Sequence, residues 1–149
     1  MQSYEFKPIG LIRTPYKTPS ECPRQGYHGR GVQATIELNE EFVDGLKDLE
    51  GFSHLILCWV FHKSEGYKLL ACPPDETETH GVFATRSPKR PNPIGLTVVK
   101  LSKIEGSILY IEDPDMVDGT PLLDIKPYLL PPDSLGEVRR GWLDSSRHG

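Results

Sequence analysis

Fourteen prolines punctuate this chain, and their placement excludes more folds than any other feature of the sequence. Pro8, Pro15, Pro19 and Pro23 come early, Pro73 and Pro74 precede Pro88, Pro91 and Pro93 in the middle, and Pro114 opens a run of five that ends at Pro132. Each lacks a backbone donor and clashes with the preceding helical turn, so these stretches cannot hold long helices. A helical bundle and a long coiled coil are ruled out. The 14 glycines raise the punctuating residues to about a fifth of the chain, against roughly 12% in ordinary usage. Disorder does not follow, because 37% of the 149 residues are hydrophobic and they gather into dense runs. The length suits one domain with a real core.

Strand signals fill the spaces between the prolines. Residues 6–14 (FKPIGLIRT) read as a first strand, with Pro8 at its start or edge. Residues 17–31 form a long loop of the kind that often carries function. Residues 32–38 (VQATIEL) alternate, Val32, Ala34, Ile36 and Leu38 facing one way. Asn39 then reads as a helix cap with Glu40 and Glu41 in the first turn, Phe42, Val43, Leu46 and Leu49 giving an apolar face that stops at Gly51. Residues 53–62 (SHLILCWVFH) read as a central strand covered on both faces. A second long loop spans 64–80, residues 81–85 form a short strand, and 86–93 are irregular. Two strands, 94–104 and 107–112, meet at the hairpin signal Glu105-Gly106, and a last short strand covers 122–126. The pattern predicts a mainly β, single-domain β-barrel with one or two short helices. Residues 1–131 form the barrel and 132–149 a tail with no second domain, since the 18 residues after Pro131 are too few for one.

The net charge of −4 and pI of about 5.7 exclude a globally basic protein, so nucleic acid would have to meet a local basic patch. Cys22, Cys58 and Cys72 are odd in number and widely spaced, which suits reduced thiols. The amino terminus carries no apolar signal core, and the longest apolar run, Leu55–Phe61, is far short of the roughly 20 residues that cross a bilayer. A soluble, cytoplasmic protein is expected.

Two segments concentrate chemistry. In GVFATRSPKRPN (81–92), Arg86 and Arg90 flank a turn stiffened by prolines, and guanidinium forks held in this way suit carboxylate or phosphate. From Gly81 to Ile104 there are five basic residues (Arg86, Lys89, Arg90, Lys100, Lys103) and no acid. That is either an anion or nucleic-acid footprint or an ordinary solvated loop. In DPDMVDGTPLLDIKPY (113–128), Asp113, Asp115, Asp118 and Asp124 are interleaved with Pro and Gly, but the EF-hand pattern is missing and no metal is expected. Asp124 and Lys126 would share a strand face, with Tyr128 next in line: a surface ion pair, or an acid–base and stacking group. His54 reads as a core residue and His62 as a strand-end residue better placed for function. His28, His80 and His148 have no metal-ligand spacing, and HExxH, P-loop, nucleophile-elbow and GxGxxG motifs are absent.

At these residues the sequence resembles the TsaA-like (TrmO) family of β-barrel proteins. The most specific block is GVFATRSPKRPNPIGLTVVKL. PIGLIRTPY, PRQG, LEGFSHLILCWVFHK and DPDMVDGTPLLDIKPYL follow in the family's order and approximate spacing, from about Pro8 to Leu130. The resemblance implies a homodimeric barrel that binds S-adenosyl-L-methionine and methylates adenine N6 of a threonylcarbamoyl-modified adenosine beside a tRNA anticodon. Carried over residue by residue, the cofactor would sit among Pro23, Arg24, Gln25, His62, Lys63, Arg86, Leu96 and the loop Asp115, Met116, Val117, Asp118 and Gly119. Arg86 would take the methionine carboxylate, the carboxylates near Asp115 and Asp118 the ammonium and ribose hydroxyls, and Phe83 and Leu96 the adenine. Asp124, Lys126 and Tyr128 match the family's DIKPY stretch and are the catalytic candidates. Lys89, Arg90 and Asn92 would face RNA.

Bacterial members commonly continue into a further carboxy-terminal domain, which this sequence does not contain, and that bears on the identity of the acceptor. Arg139, Arg140 and Trp142 would cap the barrel, pack on a partner subunit or touch RNA, with packing the default for Trp142. Two other readings remain beside the RNA methyltransferase: a barrel that binds S-adenosylmethionine or RNA without methyl transfer, and a small-molecule methyltransferase. The prolines concentrate in PRQG, SPKRPNP and DPDMVDGTP, the loops that carry the proposed contacts, so the reading requires those three loops to converge.

Overall fold

A computed structural model describes residues 1–24, 30–130 and 136–145. Gln25, His28, His148 and the proposed boundary at 131/132 lie outside the described residues. Among the described residues eight strands form in chain order: β1 Gly10–Arg13, β2 Gln33–Leu38, β3 His54–Val60, β4 Leu70–Ala71, β5 His80–Gly81, β6 Ile94–Glu105, β7 Ile108–Glu112 and β8 Thr120–Pro127. Six close into a barrel in the order β1-β2-β7-β6-β3-β8, all neighbours antiparallel, and β4 pairs with β5 outside it.

Alternation explains the barrel, since a period of two sends successive side chains to opposite faces. Ala34, Ile36 and Leu38 of β2 meet Leu55, Leu57 and Trp59 of β3, Val99 and Leu101 of β6, and Leu109 and Ile111 of β7 in one core. The β3 strand corrects the reading of a strand covered on both faces. Its inward residues are buried, but His54, Ile56, Cys58 and Val60 lie half-buried on the outer face. His54 is therefore not a core residue. It shares a 2.8 Å hydrogen bond with Ser53 and meets the Tyr128 ring edge-on at 6.4 Å.

The segment after Asn39 is not an α-helix. It winds as two 3-10 turns, Glu40–Leu46 and Leu49–Gly51, the Asn39 side chain makes no cap, and Asp48 between them adopts a left-handed φ of 68°. So short a stretch gains little from α-helical nucleation, and its course is set by Leu46 and Leu49 packing on the core. Residues 81–85 are not a full strand either. The His80–Gly81 bridge pairs with Leu70–Ala71, inside the expected loop, and a 3-10 turn, Val82–Ala84, follows.

Antiparallel order sends three loops to the same end of the barrel: 14–32 after β1, 61–93 between β3 and β6, and 113–119 between β7 and β8. The turns at 39–53 and the β6–β7 hairpin occupy the other end. The carboxy-terminal 3-10 turn Gly141–Ser145 packs on this same chain. Trp142 Nε1 donates to the Ala84 carbonyl at 2.8 Å, and the indole stacks on His80 at 4.2 Å. No helix among the described residues is long and apolar enough to cross a membrane.

Candidate functional site at the loop-bearing end of the barrel

The 113–119 loop is fastened to residues 12–17 along its length. Asp118 N donates to Tyr16 O at 2.7 Å and Gly119 N to Ile12 O at 2.8 Å. Thr14 Oγ1 donates to Met116 O at 2.9 Å, while Thr14 N donates to Asp118 Oδ1 at 3.1 Å. Lys17 Nζ lies 3.3 Å from Asp118 Oδ2. Burial alone would raise the Asp118 pKa, but the Thr14 N–H, the Lys17 ammonium and Arg13 outweigh it and hold the carboxyl below its ordinary value. Asp113 takes a left-handed φ of 68° and accepts a 2.7 Å bond from Gly31 N.

Within this loop Pro114, Met116 and Val117 turn inward and are buried, whereas Asp115 is only half-buried. Met116 and Val117 could therefore meet a ligand only through their backbone, and their carbonyls already accept from Thr14 and Thr120. Asp115 Oδ1 accepts a 2.5 Å hydrogen bond from Thr97 Oγ1, which accepts one of 3.0 Å from Trp59 Nε1. Sequence reasoning missed Thr97 and Trp59. The signal was a threonine at an inward position of an otherwise apolar alternation in β6.

Tyr16 and Cys22, on the 14–24 segment, lie near enough to Asp115 to feel its charge. Burial, with Asp115 and Glu21 adding negative potential, pushes the Cys22 thiol up to about 11. Tyr16 is raised by burial first, then by Cys22, Asp113 and Asp115. Both groups therefore stay protonated at neutral pH, within reach of the Asp115 charge. Pro23 is half-buried next to Cys22. Arg24 forms a 2.6 Å ion pair with Asp75, tying this loop to the 61–93 loop.

On the 61–93 loop His62, Lys63, Arg86, Lys89 and Asn92 are exposed. Arg90 is half-buried, and its Nη1 donates to Thr85 O at 2.9 Å and Ser87 O at 3.2 Å, so this guanidinium braces the turn it sits on. The five-cation stretch is not one patch, because Lys100 pairs with Glu112 at 3.6 Å and Lys103 with Glu105 at 3.0 Å.

Leu96 is 60% exposed and sits on the outer wall rather than among the loops. The register lines up Leu96, Cys58 and Asp124 across β6, β3 and β8, then Val98, Ile56 and Lys126 one step further from the loops. Tyr128 N donates to His54 O in the next row. Asp124 and Lys126 do share a face, joined by a 3.0 Å ion pair. Within one chain, however, the structure does not bring Asp124, Lys126 and Tyr128 to the loop end. Asp124 instead borders a groove of about 450 Å³ at the opposite end, with Phe42, Leu46 and Ile125. A more open groove of about 630 Å³ runs outside β1, β2 and β7 past Arg13, Tyr110 and Asp118. Among the described residues no three His, Cys, Asp or Glu side chains cluster as metal ligands.

Known proteins share this sequence and architecture. A family model described as tRNA-methyltransferase O N-terminal domain matches residues 11–134. A probable S-adenosyl-L-methionine-binding protein of Pyrococcus abyssi is 49% identical, over 96% of this chain and 78% of its own length. The tRNA (adenine(37)-N6)-methyltransferase of Escherichia coli is 38% identical over 98% of this chain and 66% of its own. The crystal structure of TrmO from Pseudomonas aeruginosa superposes with a TM-score of 0.80 at 36% identity, covering 96% of this chain and 64% of that one. The chain thus spans just under two thirds of the solved structure it matches.

Proposed function

This chain belongs to the tRNA-methyltransferase O N-terminal domain family, and from that premise we propose that it methylates adenine N6 of threonylcarbamoyl-modified adenosine in a tRNA anticodon loop, using S-adenosyl-L-methionine, in the cytoplasm. The observation that carries the reading is the half-buried Asp115 carboxylate held by Thr97 at the loop-bearing end of the barrel, near enough to Tyr16 and Cys22 for its charge to raise both. A cationic cofactor fits that donor set.

The cofactor supplies an electrophilic methyl group on a positively charged sulfur. Asp115 serves as acceptor for its ammonium or ribose hydroxyls, and Arg86 supplies a planar fork for its carboxylate. Pro23, Arg24, His62 and Lys63 line the approach, and the bonds of Thr14 and Lys17 to Asp118 keep the 113–119 loop from shifting as the site fills. Positioning supplies much of the barrier reduction in such a transfer, since a neutral exocyclic amine is a weak nucleophile. Asp124 accepts the hydrogen bond of the N6 amine, Lys126 holds the Asp124 carboxylate at 3.0 Å, and Tyr128 orients the base. Phe83, 77% exposed, and the exposed Lys89 and Asn92 offer a stacking face and phosphate contacts to a splayed loop.

The protein acts as a homodimer in this reading. Ile94, Leu96 and Val98 are 48%, 60% and 40% exposed and lie beside Ile56, Cys58 and Val60. This apolar stripe on an outer wall suits a second copy, and the Asp124–Tyr128 row borders it.

Incubation with S-adenosylmethionine and tRNA carrying or lacking threonylcarbamoyladenosine, read by nucleoside mass spectrometry, tests the reaction. An N6-methylated product from the modified tRNA is expected. Cofactor binding without a methylated nucleoside from any tRNA would replace the enzyme by a binding module.

A further inference from the structure

We infer that Thr97, backed by Trp59, is a positioning residue that fixes the Asp115 carboxylate at the loop end of the barrel; this rests on the cofactor reading above. Thr97 is 4% exposed, at an inward position of β6 whose neighbours in the same alternation are Gly95, Val99 and Leu101. A valine would fill the same space, so packing alone gives no reason for a hydroxyl there, and a buried hydroxyl is costly unless bonded.

The hydroxyl is used twice, in one direction only. An indole N–H can only donate, so Thr97 Oγ1 accepts from Trp59 Nε1 at 3.0 Å, and its own proton goes to Asp115 Oδ1 at 2.5 Å. The indole behind it cannot swing. Phe61 packs edge-on against it at 4.4 Å, and a Cβ on Gly95 would fall 2.4 Å from its ring atoms. A rigid wall thereby reaches through one hydroxyl to the single side chain of residues 114–117 that is not buried. Holding that carboxylate in place before the ligand arrives reduces the ordering cost of binding.

Titration calorimetry with S-adenosylmethionine on wild type, Thr97→Val, Thr97→Ser, Asp115→Asn and the Thr97→Val/Asp115→Asn double variant tests this, with thermal melting alongside. Thr97→Val is expected to weaken cofactor binding by about tenfold or more, as loss of a hydrogen bond to a charged group does. Thr97→Ser, which keeps the hydroxyl, should return to within about twofold of wild type. Thr97→Val should add nothing in the Asp115→Asn background, because the two act as one unit. A merely structural threonine would give additive losses and no selective rescue by serine, and either result overturns the inference. If Thr97→Val does not fold, Trp59→Phe keeps an aromatic ring, though a smaller one, removes the donor and replaces it in the cycle, with thermal melting measuring the lost packing. Wild-type affinity in Thr97→Val with lost binding in Asp115→Asn refutes the positioning role alone. Wild-type protein that fails to bind S-adenosylmethionine refutes the cofactor reading, and this inference with it.

Discussion

At Gly95 a single methyl group separates a packed wall from a disrupted one. Gly95 faces Trp59 across β3 and β6, and three indole carbons lie 2.4–2.6 Å from where its Cβ would stand. The ring has no easy retreat, being held by the Phe61 edge and by its bond to Thr97. Gly95→Ala is therefore expected to lower unfolding free energy by about 1–3 kcal/mol, the usual cost of overpacking a core. Urea denaturation followed by tryptophan fluorescence measures it, and an unchanged midpoint would mean that the indole moves aside. The same substitution should weaken cofactor binding, because it displaces the donor behind Thr97. Trp142 reports an independent anchor, with its indole on His80 and its N–H on Ala84 O.

The β7–β8 loop is the element whose fastening is most open to a pH test. Asp118 lies below its ordinary value of 3.8 because the Thr14 N–H, Lys17 and Arg13 together overcome its burial. A carboxylate whose folded pKa is depressed contributes stability that is fully present above the unfolded value and lost as pH falls through the folded one. Wild type is thus expected to exceed Asp118→Asn in denaturant midpoint at neutral pH, and the two curves should converge below about pH 4. A gap that stays constant down to pH 2 would rule out this contribution. How far such elements could be read in advance follows from what sets them. The β2 strand and the β6–β7 hairpin were legible because alternation and the Glu105-Gly106 turn are local signals. The three proline-rich loops leave one end of the barrel because antiparallel order puts them there. The winding after Asn39 was misread because tertiary packing of Leu46 and Leu49, not the Asn39 cap, sets it. His54 was misplaced because an apolar run does not say which face of a strand is outside. The Trp59–Thr97–Asp115 chain could not be found from spacing at all, since it joins three segments only after the barrel closes.

Across the whole molecule the proposed chemistry divides between two places. The cofactor candidates cluster at the loop end, while β8 carries Asp124 four residues away from Thr120, or about 13 Å along an extended strand. Tyr128 lies as far again. A homodimer joined through the Leu96–Val98 stripe resolves the separation if each loop end is completed by the row borne on the partner's outer wall. Mixing two inactive variants decides the matter. Asp115→Asn removes the acceptor at the loop end and Asp124→Asn the acceptor on the row. If the site is shared, a heterodimer of the two carries one intact site and one doubly damaged site. With random exchange at equal amounts, half the dimers are mixed, so about a quarter of wild-type activity should return. A site built from one chain alone has a lesion in every copy, and mixing would then restore nothing. Leu96→Glu, which sets a charge on the stripe, should prevent both dimerisation and the recovery, read by light scattering and by methyl transfer in the same mixtures. Recovery in a preparation that scatters as monomer would exclude the stripe as the joining surface.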